Sequence, residues 1–192
     1  MFLRLVAVAC FTVYSISLTH WEDAVPFVED TLMLLGWALI GLCVMGRVWA
    51  GSHICGFKES ALLTDGPYSI SRNPLYFFSF LGGLGITFIM GSLLFSFLFI
   101  VFFFSYYWPV IRFEEKKLIK RHGADYERYC EEVPRFWPKP SLYNEAPTHV
   151  ISSSAFLKHL GDVFGFIVAG GIVEFIKEMH IIGVLPTFLK LF

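Results

Sequence analysis

From Asn73 to Ile111 the chain runs 39 residues without an Asp, Glu, Lys, Arg or His. As one helix this stretch would measure about 58 Å at about 1.5 Å per residue, against a hydrocarbon core of roughly 30 Å. It must therefore fold back on itself. Gly91, in Met90-Gly91-Ser92, punctuates the run near its middle, so the pattern predicts a hairpin of helices at 74–90 and 92–111. Arg72 and Glu114, which flank the run, then lie on the same side of a membrane. Charged residues make up only 16% of the whole chain, where a soluble domain carries about 25%. A bilayer is the solvent that accommodates this deficit.

Two further spans are expected upstream, at about 5–21 and 31–50. The N-terminus, with Arg4 before an apolar run and Ser15 and Ser17 as a small-x-small pair, imitates a secretory signal. The apolar run continues to Trp21, and an uncleaved first span is expected. The loop between these spans holds Glu22, Asp23, Glu29 and Asp30 and no Lys or Arg. The basic residues gather elsewhere: Arg47, Lys58 and Arg72 between spans two and three, and eight Lys or Arg within 112–139. The positive-inside rule then places the acidic loop outside and both basic segments in the cytoplasm. That is the inner membrane of a bacterium or the endoplasmic reticulum of a eukaryote.

Residues 112–133 are expected to be helical, ended by Pro134, Pro138 and Pro140. In the tail from Phe156 to Phe192, Gly161, Gly165 and Ala169 repeat at the spacing of close-packed helices in lipid. Glu174, Lys177, Glu178 and His180 interrupt it, so a fifth span and an in-plane amphipathic helix both stay open. The expected fold is an all-α integral membrane bundle of four to five spans with a cytoplasmic C-terminal catalytic segment. It divides into two N-terminal spans (1–50), a catalytic core (51–140) and a tail (141–192). A net charge of −1 suggests no nucleic-acid partner. The four cysteines, Cys10, Cys43, Cys55 and Cys130, show no metal spacing and no disulfide framework.

Two polar clusters flank the hairpin. The first is Gly66-Pro67-Tyr68 with Arg72-Asn73-Pro74-Leu75-Tyr76. Pro74 suits the first turn of a helix and Asn73 can cap it, so these two residues have a purely structural explanation. Arg72 either snorkels at the surface or joins a helix N-terminus in holding an anion. The second cluster is Glu114-Glu115. Its plain reading is a solvated helix start with Glu114 paired to Lys117; its functional reading is a carboxylate placed to meet a ligand ammonium. His53 and His122 are expected as surface histidines, and no dependable general base is visible. Gly82, Gly83 and Gly85 are expected to serve helix packing.

The ordered series Leu62-Leu63-Thr64-Asp65-Gly66-Pro67-Tyr68, Arg72-Asn73-Pro74-Leu75-Tyr76, Glu114-Glu115, Leu118, Gly123, Tyr126, Tyr129, Val133-Pro134 and Pro138 resembles the isoprenylcysteine carboxyl methyltransferase and phospholipid methyltransferase superfamily. The resemblance covers roughly residues 47–138. It implies S-adenosylmethionine as methyl donor, a lipophilic acceptor drawn from the bilayer, and no metal. By the same resemblance the cofactor would meet His53, Ser60, Ala61, Leu62, Leu63, Tyr68, Arg72, Asn73, Pro74, Leu75, Tyr76, Glu114 and Glu115, with the glutamates at its polar end. The family's Arg-His-Pro is here Arg72-Asn73-Pro74. The arginine that meets a substrate carboxylate in the isoprenylcysteine enzymes stands four residues before the glutamate pair, where this chain has Val110. Arg112 is the substitute, pointing about 200° away around a helix unless the helix breaks near Pro109. Two other functions are compatible with the sequence. One is an NADPH-dependent membrane reductase of related architecture; the other is a transporter or assembly protein whose polar clusters only anchor helix ends. The absence of charges from the expected spans counts against ion transport.

Overall fold

The computed structural model describes residues 17–19, 26–55, 62–148, 151–185 and 189–191. Helix α1 spans Pro26–Ile54 and a single turn, α2, spans Pro67–Ile70. The charge-free run then folds as the expected hairpin, with α3 at Pro74–Ile89 and α4 at Leu93–His122. Gly91 makes the turn at φ 70, a conformation open to glycine without a Cβ clash, and the Ser92 side chain caps α4 through the Phe95 amide. Pro74 occupies the first turn of α3, as its ring geometry favours.

The expected helix over 112–133 is two helices. α4 runs unbroken through Pro109 to His122, and Gly123, at φ 57, separates it from α5 at Ala124–Glu132. A proline inside a spanning helix is tolerated where neighbours and local adjustment compensate the missing donor. A 3-10 turn at Pro140–Leu142 leads towards α6, Ser153–Ile181. Of these helices, α1, α4 and α6 are each long and apolar enough to cross a bilayer, and α3 is a shorter apolar helix.

Close packing of α1 on α3 follows from glycine. A Cβ on Gly36 would lie 2.7 Å from the Gly85 carbonyl oxygen, and one on Gly85 would lie 2.6 Å from that of Gly36. Gly82 faces Cys43 and Phe166, and Gly83 faces Phe99, so the three α3 glycines do pack helices. α6 lies antiparallel to α1. His159 bonds the Arg47 carbonyl near one end, Gly170 meets Ile40 in the middle, and Lys177 pairs with Glu29 at the other. The tail therefore holds a helix that runs alongside α1 for its length. Its close contact is made by Gly170, whereas Gly161 and Gly165 have no neighbour within 4 Å of a Cβ position. On the hairpin, Phe80, Phe103, Ile111 and Phe136 form an aromatic core that joins α3, α4 and the segment after α5.

Ser17–Thr19 is a three-residue strand, β1, paired in parallel with β2 at Leu189–Leu191. These residues of the expected first span are thus extended, their backbone groups met by the tail. The remainder of that span lies outside the described residues.

Candidate active site at the foot of the hairpin

The chain after α5 is bound to the segment before α3 along its length. The Arg72 amide donates to the Pro134 carbonyl at 2.9 Å, the Lys139 amide to that of Ile70 at 2.9 Å, and the Ser71 hydroxyl to that of Phe136 at 3.1 Å. Tyr129 adds a 2.6 Å bond from its hydroxyl to the Tyr68 carbonyl. Beneath them Tyr126, Tyr129 and Val133 form a small core with Leu62 and Leu118 against it. Burial pushes the phenols of Tyr68, Tyr126 and Tyr129 well above their ordinary range, which keeps them neutral donors.

Into this scaffold α4 delivers two adjacent carboxylates with different surroundings. Glu115 is buried; its Oε1 takes the Arg72 Nε at 3.0 Å and its Oε2 the Arg135 Nε at 2.8 Å. Arg72 also donates from Nη1 to the Cys130 carbonyl at 2.6 Å. Arg135 lies over the Trp108 ring, 5.4 Å from its centroid. Asn73 turns its amide onto the Arg135 carbonyl at 3.0 Å and towards Glu115 at 3.5 Å. It stands at the N-cap of α3 but its side-chain oxygen makes no cap there.

Glu114, next in sequence, is exposed. Its Oε1 accepts from the Tyr76 hydroxyl at 3.0 Å, and the Tyr76 ring sits 5.3 Å from that of Tyr107. The expected Glu114–Lys117 partnership gives way to this bond, while Lys117 lies 4.4 Å over the Phe113 ring. The two clusters that flank the hairpin in sequence are therefore in direct contact, at Arg72–Glu115 and at Tyr76–Glu114.

The other expected residues are spread more widely. His53 is buried, not on the surface, with Nε2 2.8 Å from Glu145 Oε1 and Nδ1 3.0 Å from the Trp49 carbonyl. Its ring lies where a Gly66 side chain would otherwise be. Leu62 and Leu63 are half-buried, and Ser60 and Ala61 lie outside the described residues. Pro74 is buried, and Leu75 offers its carbonyl to the Ser79 hydroxyl. Arg112 is exposed, and because α4 does not break at Pro109 it is not redirected to the side of Val110. An open cleft of about 500 Å³ lies beside Tyr129, lined among others by Leu62, Thr64, Ser69, Asp125, Arg128 and Asn144. Of the expected cofactor residues that are described, only Leu62 lines it. Among the described residues no group of three His, Cys, Asp or Glu side chains is placed to hold a metal ion.

One half-buried cation lies deeper than the sequence reading expects. Arg47, expected as a marker of the loop between spans two and three, lies inside α1 seven positions before its end. The signal was available, since the span expected at 31–50 already encloses position 47.

Comparison with known proteins bears on this geometry. Residues 33–125, which hold the hairpin and both carboxylates, match the phospholipid methyltransferase family model. The chain is 31% identical over 184 residues to the cobalt-zinc-cadmium resistance protein CzcN of Cupriavidus metallidurans, covering 96% of this chain and 85% of that protein. It is 28% identical over 173 residues to the nickel-cobalt-cadmium resistance protein NccN of Alcaligenes xylosoxydans xylosoxydans, covering 90% and 80%. Over 86 residues it is 33% identical to the protein-S-isoprenylcysteine O-methyltransferase of Schizosaccharomyces pombe, covering 43% of this chain and 36% of that enzyme. No solved structure matches the chain.

Proposed function

Because the chain belongs to the membrane methyltransferase superfamily of the phospholipid and isoprenylcysteine enzymes, we propose that it transfers a methyl group from S-adenosylmethionine to a lipophilic acceptor at the cytoplasmic face of the bilayer. The observation that carries this reading is the division of labour between the two glutamates. Glu115 is saturated by Arg72 and Arg135, so it fixes the geometry of the site; Glu114 is exposed and held in place by Tyr76. An exposed, oriented carboxylate suits a ligand ammonium through a charge-assisted hydrogen bond. The paired rings of Tyr76 and Tyr107 present π faces that attract a cation. This donor set fits S-adenosylmethionine, which carries both an ammonium and a sulfonium.

When bound, the cofactor supplies a methyl group already activated on sulfur, so the protein's task is alignment. In this scheme Arg72 and Asn73 act through Glu115 and the Arg135 carbonyl, holding the start of α3 against α4. Pro74 and Leu75 set the first turn that carries Tyr76. His53, Ser60 to Leu63 and Tyr68 complete the cofactor surroundings. A carboxylate or thiolate acceptor would react without a base, whereas an amine would first have to lose a proton. The acceptor enters laterally from the lipid, since the hairpin ends directly at the polar cluster.

Binding of radiolabelled S-adenosylmethionine and of NADPH to the detergent-purified protein tests the reading. Saturable binding of S-adenosylmethionine alone is expected. Binding of NADPH alone, or of neither, would overturn it.

A further inference from the structure

Arg47 sits about 10 Å before the end of α1 at about 1.5 Å per residue, within the apolar bundle. Its side chain is half-buried, with Nε fully enclosed. Nη1 donates to the Ser79 hydroxyl on α3 at 2.5 Å, and the guanidinium lies 5.5 Å from the Phe166 ring centroid on α6. Ser79 spends its own hydrogen on the Leu75 carbonyl at 2.6 Å, so it serves Arg47 purely as an acceptor. Among the described residues no Asp or Glu pairs with Arg47, and its buried Nε has no hydrogen-bond partner.

A second orphan lies on α2, whose N-cap Gly66 packs against the ring of His53, six residues beyond Arg47 in α1. Tyr68 is 8% exposed, and its buried hydroxyl also has no partner among the described residues. The positive charge of Arg47 acts on this phenol, opposing the upward push of burial. A guanidinium and a phenol with unmet donors are costly in an apolar interior, and an ionisable group at membrane depth normally has a counterpart. Both groups donate hydrogen bonds and one carries a full positive charge. The complement they lack is an anion.

We propose that Arg47 and Tyr68, with Ser79 orienting the arginine, form the recognition site for an anionic group, a carboxylate or a phosphate, carried by the lipophilic methyl acceptor. The identification of the ligand as the acceptor rests on the methyltransferase reading; the anion site itself does not. If the anion is the carboxylate that is methylated, a bond forms between its oxygen and the methyl carbon, and the carbon–sulfur bond breaks with its electron pair left on sulfur. The carboxylate and sulfonium charges both disappear. The ester product no longer carries the charge that Arg47 holds, which favours its release.

The test uses the full-length protein in detergent and two matched pairs of probes. N-acetyl-S-farnesyl-cysteine is compared with its methyl ester, and dioleoyl phosphatidic acid with dioleoylglycerol. Wild type should bind the anionic member of one pair at least about tenfold more tightly than the neutral member, as expected for a charge-assisted bond. The pair that discriminates identifies carboxylate or phosphate as the source. Arg47→Gln should reduce that preference to less than about threefold, Arg47→Lys should keep most of it, and Tyr68→Phe should lower it by about three- to tenfold. Should Arg47→Gln fail to fold, Tyr68→Phe decides. Equal binding within both pairs by wild type, or an undiminished preference in the folded variants, would overturn the proposal. S-adenosylmethionine binding on the same samples separates the two readings. If it binds while no anion preference exists, the anion site falls alone. If an Arg47-dependent preference exists without it, the anion site stands and the methyltransferase reading falls.

Discussion

Arg72 and Glu115, 43 residues apart in sequence, meet with Nε 3.0 Å from Oε1 and close the hairpin at its foot. Arg135 takes the other oxygen of the same carboxylate, so three segments converge on one buried side chain: the start of α3, the last third of α4 and the chain after α5. Adjacent helical residues lie about 100° apart, which sends Glu114 out of this network and onto Tyr76.

Glu115→Gln should therefore be a stability variant. Removing one member of a buried charged cluster costs about 3–5 kcal/mol, because the partners keep an uncompensated charge. Thermal unfolding of the detergent-purified protein should show a clear loss for Glu115→Gln and almost none for Glu114→Gln. Equal melting of the two variants would refute the separation of roles.

The glycine contacts predict opposite signs for one substitution. Gly85→Ala drives a methyl group into the Gly36 carbonyl and should destabilise by about 1–3 kcal/mol. Gly161→Ala meets nothing within 4 Å and should be neutral or stabilise α6 by up to about 1 kcal/mol, since alanine is the better helix former. Melting temperatures that move in the same direction would contradict the packing of α1 on α3.

Much of this arrangement was legible in the sequence. A charge-free run twice too long for one crossing dictates a hairpin, Gly91 marks its turn, and the flanking Arg72 and Glu114 are thereby brought to one side. Of the residues that resemble the methyltransferase superfamily, Arg72 meets Glu115 and Tyr76 meets Glu114 there. What the sequence left open depends on helical phase and on tertiary partners. Nothing in Glu114-Glu115 says which carboxylate faces inward until Arg135 arrives from a segment 20 residues away. Asn73 has the composition of a cap, yet it makes none and its amide nitrogen donates to the Arg135 carbonyl, across the site. The helix expected over 112–133 passes through Gly123, whereas the chain breaks there, and α4 continues through Pro109. Arg47 reads as the edge of a loop because arginine is rare at depth, and its neighbours Ser79 and Phe166 are remote in sequence.

The contacts between α1 and α6 combine with the charge bias to give a sidedness. If the basic segments are cytoplasmic, the Glu29–Lys177 end of the bundle faces outward. In intact cells an impermeant thiol reagent should label Phe27→Cys and Val184→Cys, and should reach Lys120→Cys and Thr148→Cys only after permeabilisation. Labelling of position 120 but not position 27 in intact cells would invert the topology.

The most direct test concerns Glu114. Isothermal titration of S-adenosylmethionine into wild type, Glu114→Gln and Lys117→Gln isolates its charge, because the glutamine keeps the shape and the hydrogen bond from Tyr76. A charge-assisted bond contributes about 1.5–3 kcal/mol, so Glu114→Gln should bind roughly ten- to a hundredfold more weakly. Lys117→Gln, which changes only an exposed neighbour over Phe113, should match wild type. Equal affinities in all three proteins would contradict the assignment of Glu114 to the cofactor.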